Sequence, residues 1–154
     1  MSSSPSTAGV RSAVLACVFC GRLNRVDLAR LGDGPRCGEC TRPILLDRPV
    51  KVSARSFDET IGSATVPVLV DFYADWCGPC RILGPVVDEL ASRHAGQMLV
   101  LKVDTDRDGE LATRFEVRGI PTLVAFQNGV ESGRHVGVAR RAELEALLGL
   151  DANP

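Results

Sequence analysis

All six cysteines of this chain fall in Cys-x-x-Cys pairs: Cys17/Cys20, Cys37/Cys40 and Cys77/Cys80. No other feature limits the possible folds as strongly. Such pairs can be disulfide frameworks in a secreted chain, metal knuckles, or redox dithiols. The compartment helps to choose. Met1 to Gly9 is Ser-rich and reads as a frayed tail. The apolar stretch from Ala13 to Cys20 is too short to span a membrane. With only Arg11 ahead of it and Gly21-Arg22 just after, it is also weak as a secretory or lipoprotein signal. A cytoplasmic chain is therefore expected, where thiols stay reduced. Strict CxxC spacing then favours metal or redox chemistry over structural bridges.

The 154 residues suit one domain plus a small module, and 45% hydrophobic content is enough for a core. Lys and Arg number 18 against 19 Asp and Glu, so no basic face is implied and nucleic acid is a poor partner. The chain divides near Leu46–Val50. Residues 1–12 are assigned to a disordered tail, 13–48 to a four-cysteine module with little apolar periodicity, and 49–154 to an α/β domain. The stretch from Pro43 to Pro49 reads as a linker.

In the second module Ser56 and Glu59 fit a capping box that opens a helix. Val66 to Tyr73 is a nearly continuous apolar run, suited to a strand buried on both faces. Ile82, Leu83, Val86, Val87 and Leu90 mark one helical face, with a kink expected at Pro85. Met98 to Val103 is a second buried strand, Glu110 to Phe115 a short helix and Thr122 to Gln127 a strand. Asn128-Gly129 signals a hairpin into Val130–Val136. A last helix spans Arg140 to Leu150, with Leu144, Leu147 and Leu148 on one stripe. After a short strand near Lys51, this order gives an α/β fold with a mixed sheet.

Trp76-Cys77-Gly78-Pro79-Cys80 follows a buried strand and opens a helix. Unpaired N–H groups and the helix dipole there stabilise a thiolate at Cys77, the attacking species in disulfide exchange. Cys77 is accordingly expected to be exposed and Cys80 buried, one turn on, to resolve the mixed disulfide. Pro79 is tolerated in a first turn and stiffens the loop. A second metal knuckle would need two more ligands, and His94 and His135 are not at finger-like spacing.

The segment from Val70 to Arg81 closely resembles the active-site segment of the thioredoxin family. Gly119-Ile120-Pro121-Thr122-Leu123 resembles that family's cis-proline loop, and Asn128-Gly129 and Val136-Gly137 match later family positions. The resemblance covers about Val50 to Leu150. With the four upstream cysteines, the chain is similar to the zinc-containing branch of the family. Two departures stand out. Tyr73 replaces a second Trp found in many relatives, and Ala139 replaces a polar cap before the last helix.

The resemblance implies a thioredoxin fold, a mixed central sheet flanked by helices. It implies reduction of protein disulfides with Cys77 and Cys80 as the redox pair, recharged by an NADPH-dependent thioredoxin reductase, with no organic cofactor in the chain itself. Asp71, a carboxylate in an apolar strand, is either a hydrogen-bonded core Asp or, as the family implies, the group that takes the proton of Cys80. Lys102 either pairs with Asp71 or packs its stem while its amine reaches water. Pro121 is either an ordinary strand start or the family's cis-proline. In the second case the Ile120 amide and carbonyl face the cysteines and can pair with an extended substrate segment. Trp76, Gly78, Pro79 and Gly137 complete the expected site.

Cys17, Cys20, Cys37 and Cys40, two knuckles with sixteen residues between them, signal a four-thiolate zinc site. Two disulfides or an iron–sulfur cluster are the alternatives. A site filled by four cysteines is closed, so one structural zinc ion is expected, with Gly21 and Gly38 in turns that let N–H groups approach the sulfurs. Arg22, Arg25, Arg30 and Arg36 lack an aromatic stacking surface and read as a solvated face. Residues 50–154 are expected to fold and act without residues 1–48. The zinc module is then either a passive appendage or a redox-sensitive one. Against the monomeric reductase stand a binding module docked through the zinc ribbon, and an exported disulfide-forming oxidant. The intact redox loop opposes the first and the missing export signal the second.

Overall fold

The computed structural model describes residues 10–150. The tail from Met1 to Gly9 lies outside them. The final three residues of the segment assigned to it do not belong in a tail. The Val10 carbonyl accepts from the Thr65 hydroxyl at 3.0 Å, and Ser12 opens the first strand.

The N-terminal module is built on an antiparallel hairpin, β1 (Ser12–Ala16) and β2 (Leu23–Asp27). A 3₁₀ segment follows over Leu28–Asp33. The rest of the chain forms β3 (Val50–Lys51), α1 (Ala54–Ser63), β4 (Val68–Tyr73), α2 (Gly78–Arg93), β5 (Leu99–Asp104), α3 (Gly109–Arg114), β6 (Thr122–Gln127), β7 (Val130–Val136) and α4 (Arg141–Leu148). Five strands make one mixed sheet in the order β3-β5-β4-β6-β7. β4 runs parallel to β5 and antiparallel to β6, and all six of its residues are buried, as its unbroken apolar run requires. Asn128 and Gly129 have φ of 53° and 80°, the left-handed pair of a type I′ turn, which joins β6 to β7. No helix among the described residues is long and apolar enough to cross a membrane.

Side chains alternate across the sheet. Val68, Val70 and Phe72 face a cluster with Phe57 and Ile61 of α1 and Leu111 of α3. Leu69 faces the other way, toward Leu83, Val87 and Leu90 of α2 and Leu144 and Leu148 of α4. Ile82, expected on the apolar face of α2, is 66% exposed, because Leu83, Val87, Leu90 and Ala91 already cover the sheet. α2 runs through Pro85 as one helix.

Two further expectations change. α1 is capped by Ser53, whose hydroxyl accepts from the Arg55 amide at 3.3 Å, so the helix starts ahead of the Ser56 box and buries Ser56. The N-terminal module also contributes to the main core. Ala13, Leu15, Val26, Leu28 and Leu46 lie in one cluster with Phe57, Val70 and Phe72. The Thr65 amide donates to the Ser12 carbonyl at 3.0 Å, and the Val14 amide to the Ser63 hydroxyl at 2.8 Å, tying β1 to the end of α1.

Candidate functional site

β4 ends at Tyr73, and the chain turns through Ala74-Asp75-Trp76 into α2. Cys77 is the N-cap of that helix, with Gly78, Pro79 and Cys80 in its first turn. The Cys77 Sγ accepts from the Cys80 amide at 3.2 Å, so an N–H that the first turn leaves unpaired points at the sulfur. Cys77 and Cys80 are joined as a disulfide. Cys77 is 4% exposed and Cys80 8%, so the expected contrast between an exposed and a buried cysteine is absent. Tyr73, Ala74 and Ile120 pack around the pair and shield both sulfurs.

The Ile120–Pro121 bond is cis, and the Ile120 carbonyl oxygen lies 3.7 Å from the Cys77 Sγ. The Gly137 amide donates to the Pro121 carbonyl at 2.8 Å, which ties this loop to the end of β7. Trp76 is 67% exposed, and its indole N–H donates to the Asp106 carboxylate at 2.9 Å. The Arg81 guanidinium donates to the Asp75 carbonyl. Asp106 is not legible as a site residue in the sequence, because nothing in its neighbourhood of the chain sets it apart from the acidic residues beside it.

Asp71 follows Leu69 by two residues, so it shares the face of the sheet that α2 covers. It is 1% exposed, and its Oδ1 has no hydrogen-bond partner among the described residues. Burial raises its carboxyl to about 6, against an opposing pull from Lys102. Lys102 is the register partner of Asp71 on β5. Its amine does not pair with that carboxylate. It sits 4.4 Å from the centroid of the Tyr73 ring.

In the N-terminal module the sulfurs of Cys17, Cys20, Cys37 and Cys40 all lie within 4.8 Å of one another. Cys17 and Cys40 are 3.6 Å apart, as are Cys20 and Cys37. A tetrahedral zinc ion with bonds of about 2.3 Å needs sulfurs about 3.8 Å apart, so the residues fit such an ion.

The two knuckles repeat one geometry. The Cys17 carbonyl accepts from the Gly21 amide at 2.9 Å and the Cys37 carbonyl from the Thr41 amide at 3.0 Å. The Phe19 and Glu39 amides donate to the Cys17 and Cys37 sulfurs, each at 3.4 Å. The Cys40 and Glu39 N–H groups are the main reason that the Cys37 thiol is lowered to about 6, and the Cys20 thiol that shares a hydrogen bond with it is raised. The Gly38 amide, expected near a sulfur, instead donates to the Asn24 side chain at 2.9 Å. The Asn24 amide group donates in turn to the Cys37 sulfur at 3.5 Å, a support invisible in the spacing of the cysteines.

The thioredoxin family model matches residues 48–149, and a model described as the N-terminal part of thioredoxin 2 matches residues 16–42. Thioredoxin C-3 of Corynebacterium nephridii is 34% identical over 135 residues, covering 88% of this chain and 92% of that one. Thioredoxin 1 of a Nostoc species is 41% identical over 98 residues, covering 64% of this chain and 92% of its own. The solved structure of a mutant thioredoxin from Halobacterium salinarum superposes with a TM-score of 0.64 at 37% identity. It covers 72% of this chain and 98% of that one.

Proposed function

We propose, for a chain that belongs to the thioredoxin family and to its zinc-ribbon-bearing second type, a specific cycle at Cys77 and Cys80. The chain is a thiol–disulfide oxidoreductase, a protein-disulfide reductase. In the proposed cycle the Cys77 thiolate attacks one sulfur of a client disulfide. A mixed disulfide forms and the first client thiolate leaves. Cys80 then passes its proton to Asp71 and attacks the Cys77 sulfur. The second client thiolate leaves, and the chain is left with the Cys77–Cys80 disulfide, two electrons poorer. An NADPH-dependent thioredoxin reductase returns those electrons.

The observation that carries this reading is the disulfide at the N-terminus of α2, with the Ile120 carbonyl beside its sulfur. The first turn of α2 holds the Cys77 thiolate through the Cys80 N–H, and the helix dipole adds to that effect. The Ile120 amide and carbonyl pair with an extended client backbone. That recognition reads few side chains and suits many clients. Trp76, Gly78, Pro79 and Gly137 shape the surface around the sulfurs, and Lys102 acts on Asp71 through its charge. The buried carboxyl of Asp71, raised to about 6, stands ready to accept a proton near neutrality.

In this reading residues 13–48 form the zinc module and 49–154 the redox domain, and the chain works as a monomer in the cytoplasm. Four clustered cysteines at metal-ligand spacing favour a reducing compartment, since an oxidising one would convert them to disulfides. One zinc ion held by Cys17, Cys20, Cys37 and Cys40 would be structural, because four thiolates leave it no open position.

The test is trapping with a disulfide-bonded protein substrate. Cys80→Ser accumulates a stable mixed disulfide through Cys77, Cys77→Ser forms none, and the wild type turns over with NADPH and the reductase. Equal trapping by both variants would reverse the assignment of attacker and resolver.

A further inference from the structure

Asp71, Tyr73 and Lys102 share one face of the sheet. Asp71 and Tyr73 are two residues apart on β4, and Lys102 is the register partner of Asp71 on β5. The Lys102 amine therefore has two places to go: the Asp71 carboxylate or the Tyr73 ring. It takes the ring, at 4.4 Å from the centroid. The Asp71 Oδ1 is buried, has no partner among the described residues and does not receive the amine. An ammonium over an aromatic face is held by the negative potential of the ring. Here that interaction competes with an ion pair to the register partner on β4.

We propose that Tyr73 is a positioning residue, whose ring holds the Lys102 ammonium off Asp71 so that the buried carboxyl remains able to take up a proton. The inference rests on Asp71 acting as the proton acceptor in the cycle above. The contest is electrostatic. An opposite charge within about 4–6 Å lowers a carboxyl pKa by roughly one to three units. An Asp71 paired directly with Lys102 would be locked as a carboxylate and would be a poor base toward Cys80. Held over the ring, Lys102 still pulls the carboxyl down, but burial wins.

Other charges face the same end of the sheet. Burial and then Asp104, Asp75 and Asp71 raise the Tyr73 phenol, and Arg107 opposes them from the turn after β5; on β3, Lys51 is the register partner of Lys102. From α2 the group facing the site is Cys80, and on β6 the register partner of Asp71 is the apolar Leu123. A cleft of about 1100 Å³, lined among others by Tyr73, Asp75, Lys102, Asp104 and Arg107, opens this corner to solvent. Lys102 therefore loses little hydration by staying over the ring.

The test follows the Asp71 carboxyl directly by carbon-detected NMR titration of the reduced full chain, alongside the pH profile of mixed-disulfide resolution. Tyr73→Leu removes the ring and should lower the Asp71 midpoint by about one unit or more, moving the resolution profile with it. Tyr73→Trp and Tyr73→Phe keep a π face and should titrate like the wild type. Tyr73→Leu combined with Lys102→Gln should titrate like Lys102→Gln alone. If Tyr73→Leu does not fold, Tyr73→Met supplies bulk without a ring and answers the same question.

An unchanged Asp71 midpoint in the ring-less variant overturns the proposal. So does a shift that survives when Lys102→Gln is added, since the ring would then act through burial and not through the amine. Asp71→Asn separates the two levels. If it leaves the pH profile of resolution intact, Asp71 is not the proton acceptor, whatever the titrations say of Tyr73.

Discussion

Asp71 is a carboxyl that the fold keeps at a cost, and the cost has a definite pH dependence. Its carboxyl is raised from 3.8 to about 6 in the folded chain, first by burial. Between those two values the folded state holds a proton that the unfolded state has released. Stability therefore falls as pH climbs from about 4 to about 6 and stays reduced above that. At 1.36 kcal/mol per unit, the full loss is on the order of 3 kcal/mol. Asp71→Asn removes the titration, so the variant should match the wild type near pH 4 and exceed it by up to ~3 kcal/mol at pH 7. Melting curves across that range check it, and equal stability throughout would mean that the charge is not buried. At this scale the three CxxC pairs are plain in the chain, because their spacing alone carries the chemistry. The choice of Lys102 between Asp71 and Tyr73 is not. Strand alternation puts all three on one face and leaves the outcome to side-chain geometry. The burial of Cys77 is likewise hidden, since it depends on Ile120, far along the chain.

The strands and helices of the redox domain are largely readable from periodicity. β6 and β7 begin and end where the alternation and the Asn128-Gly129 turn place them. The start of α1 is ambiguous in the sequence because Ser53 and Ser56 both offer cap hydroxyls, and only the backbone decides which one leaves the helix. The final helix needs no polar residue at Ala139. The Glu143 carboxylate accepts from the Arg140 amide at 2.9 Å and closes that end from inside. The zinc knuckles pose a sharper question. Gly21 and Thr41 occupy equivalent turns with φ of 84° and 65°. Glycine adopts this region freely, and a β-branched residue does so only under strain. Gly21→Val should loosen the first knuckle and speed metal loss to a chelator severalfold. Thr41→Gly should hold the metal at least as well as the wild type. Zinc release followed with a colorimetric chelator distinguishes them, and equal release from Gly21→Val and wild type would remove the strain argument.

Across the whole molecule, the two family segments are separate in sequence and continuous in space. The change of composition near Leu46 suggests independent units. It hides the fact that Leu15, Val26, Leu28 and Leu46 complete a cluster centred on Phe57 and Phe72. Alternation over a strand as short as β1 is too brief a signal to reveal which partner it will cover. Removing residues 1–48 should thus cost several kcal/mol, since burying each such Val or Leu is worth roughly 1.5–3 kcal/mol. The truncated chain should still reduce disulfides at low temperature, because every residue around the redox pair remains. Chelation of the full chain should do less damage. Amides of the knuckles such as Gly21 and Thr41 should exchange quickly, while those of Val14 and Val26 stay protected. Hydrogen exchange followed residue by residue tests both statements, and loss of protection at Val14 on chelation would make the metal the anchor of the hairpin.

The chain has one tryptophan. It lies against the reactive loop, exposed, with its indole N–H on Asp106. Intrinsic fluorescence excited at the red edge therefore comes from a single emitter next to the disulfide, with no second indole to dilute it. Reduction of the bridge, or a client settling over the loop, registers in that emission without any label.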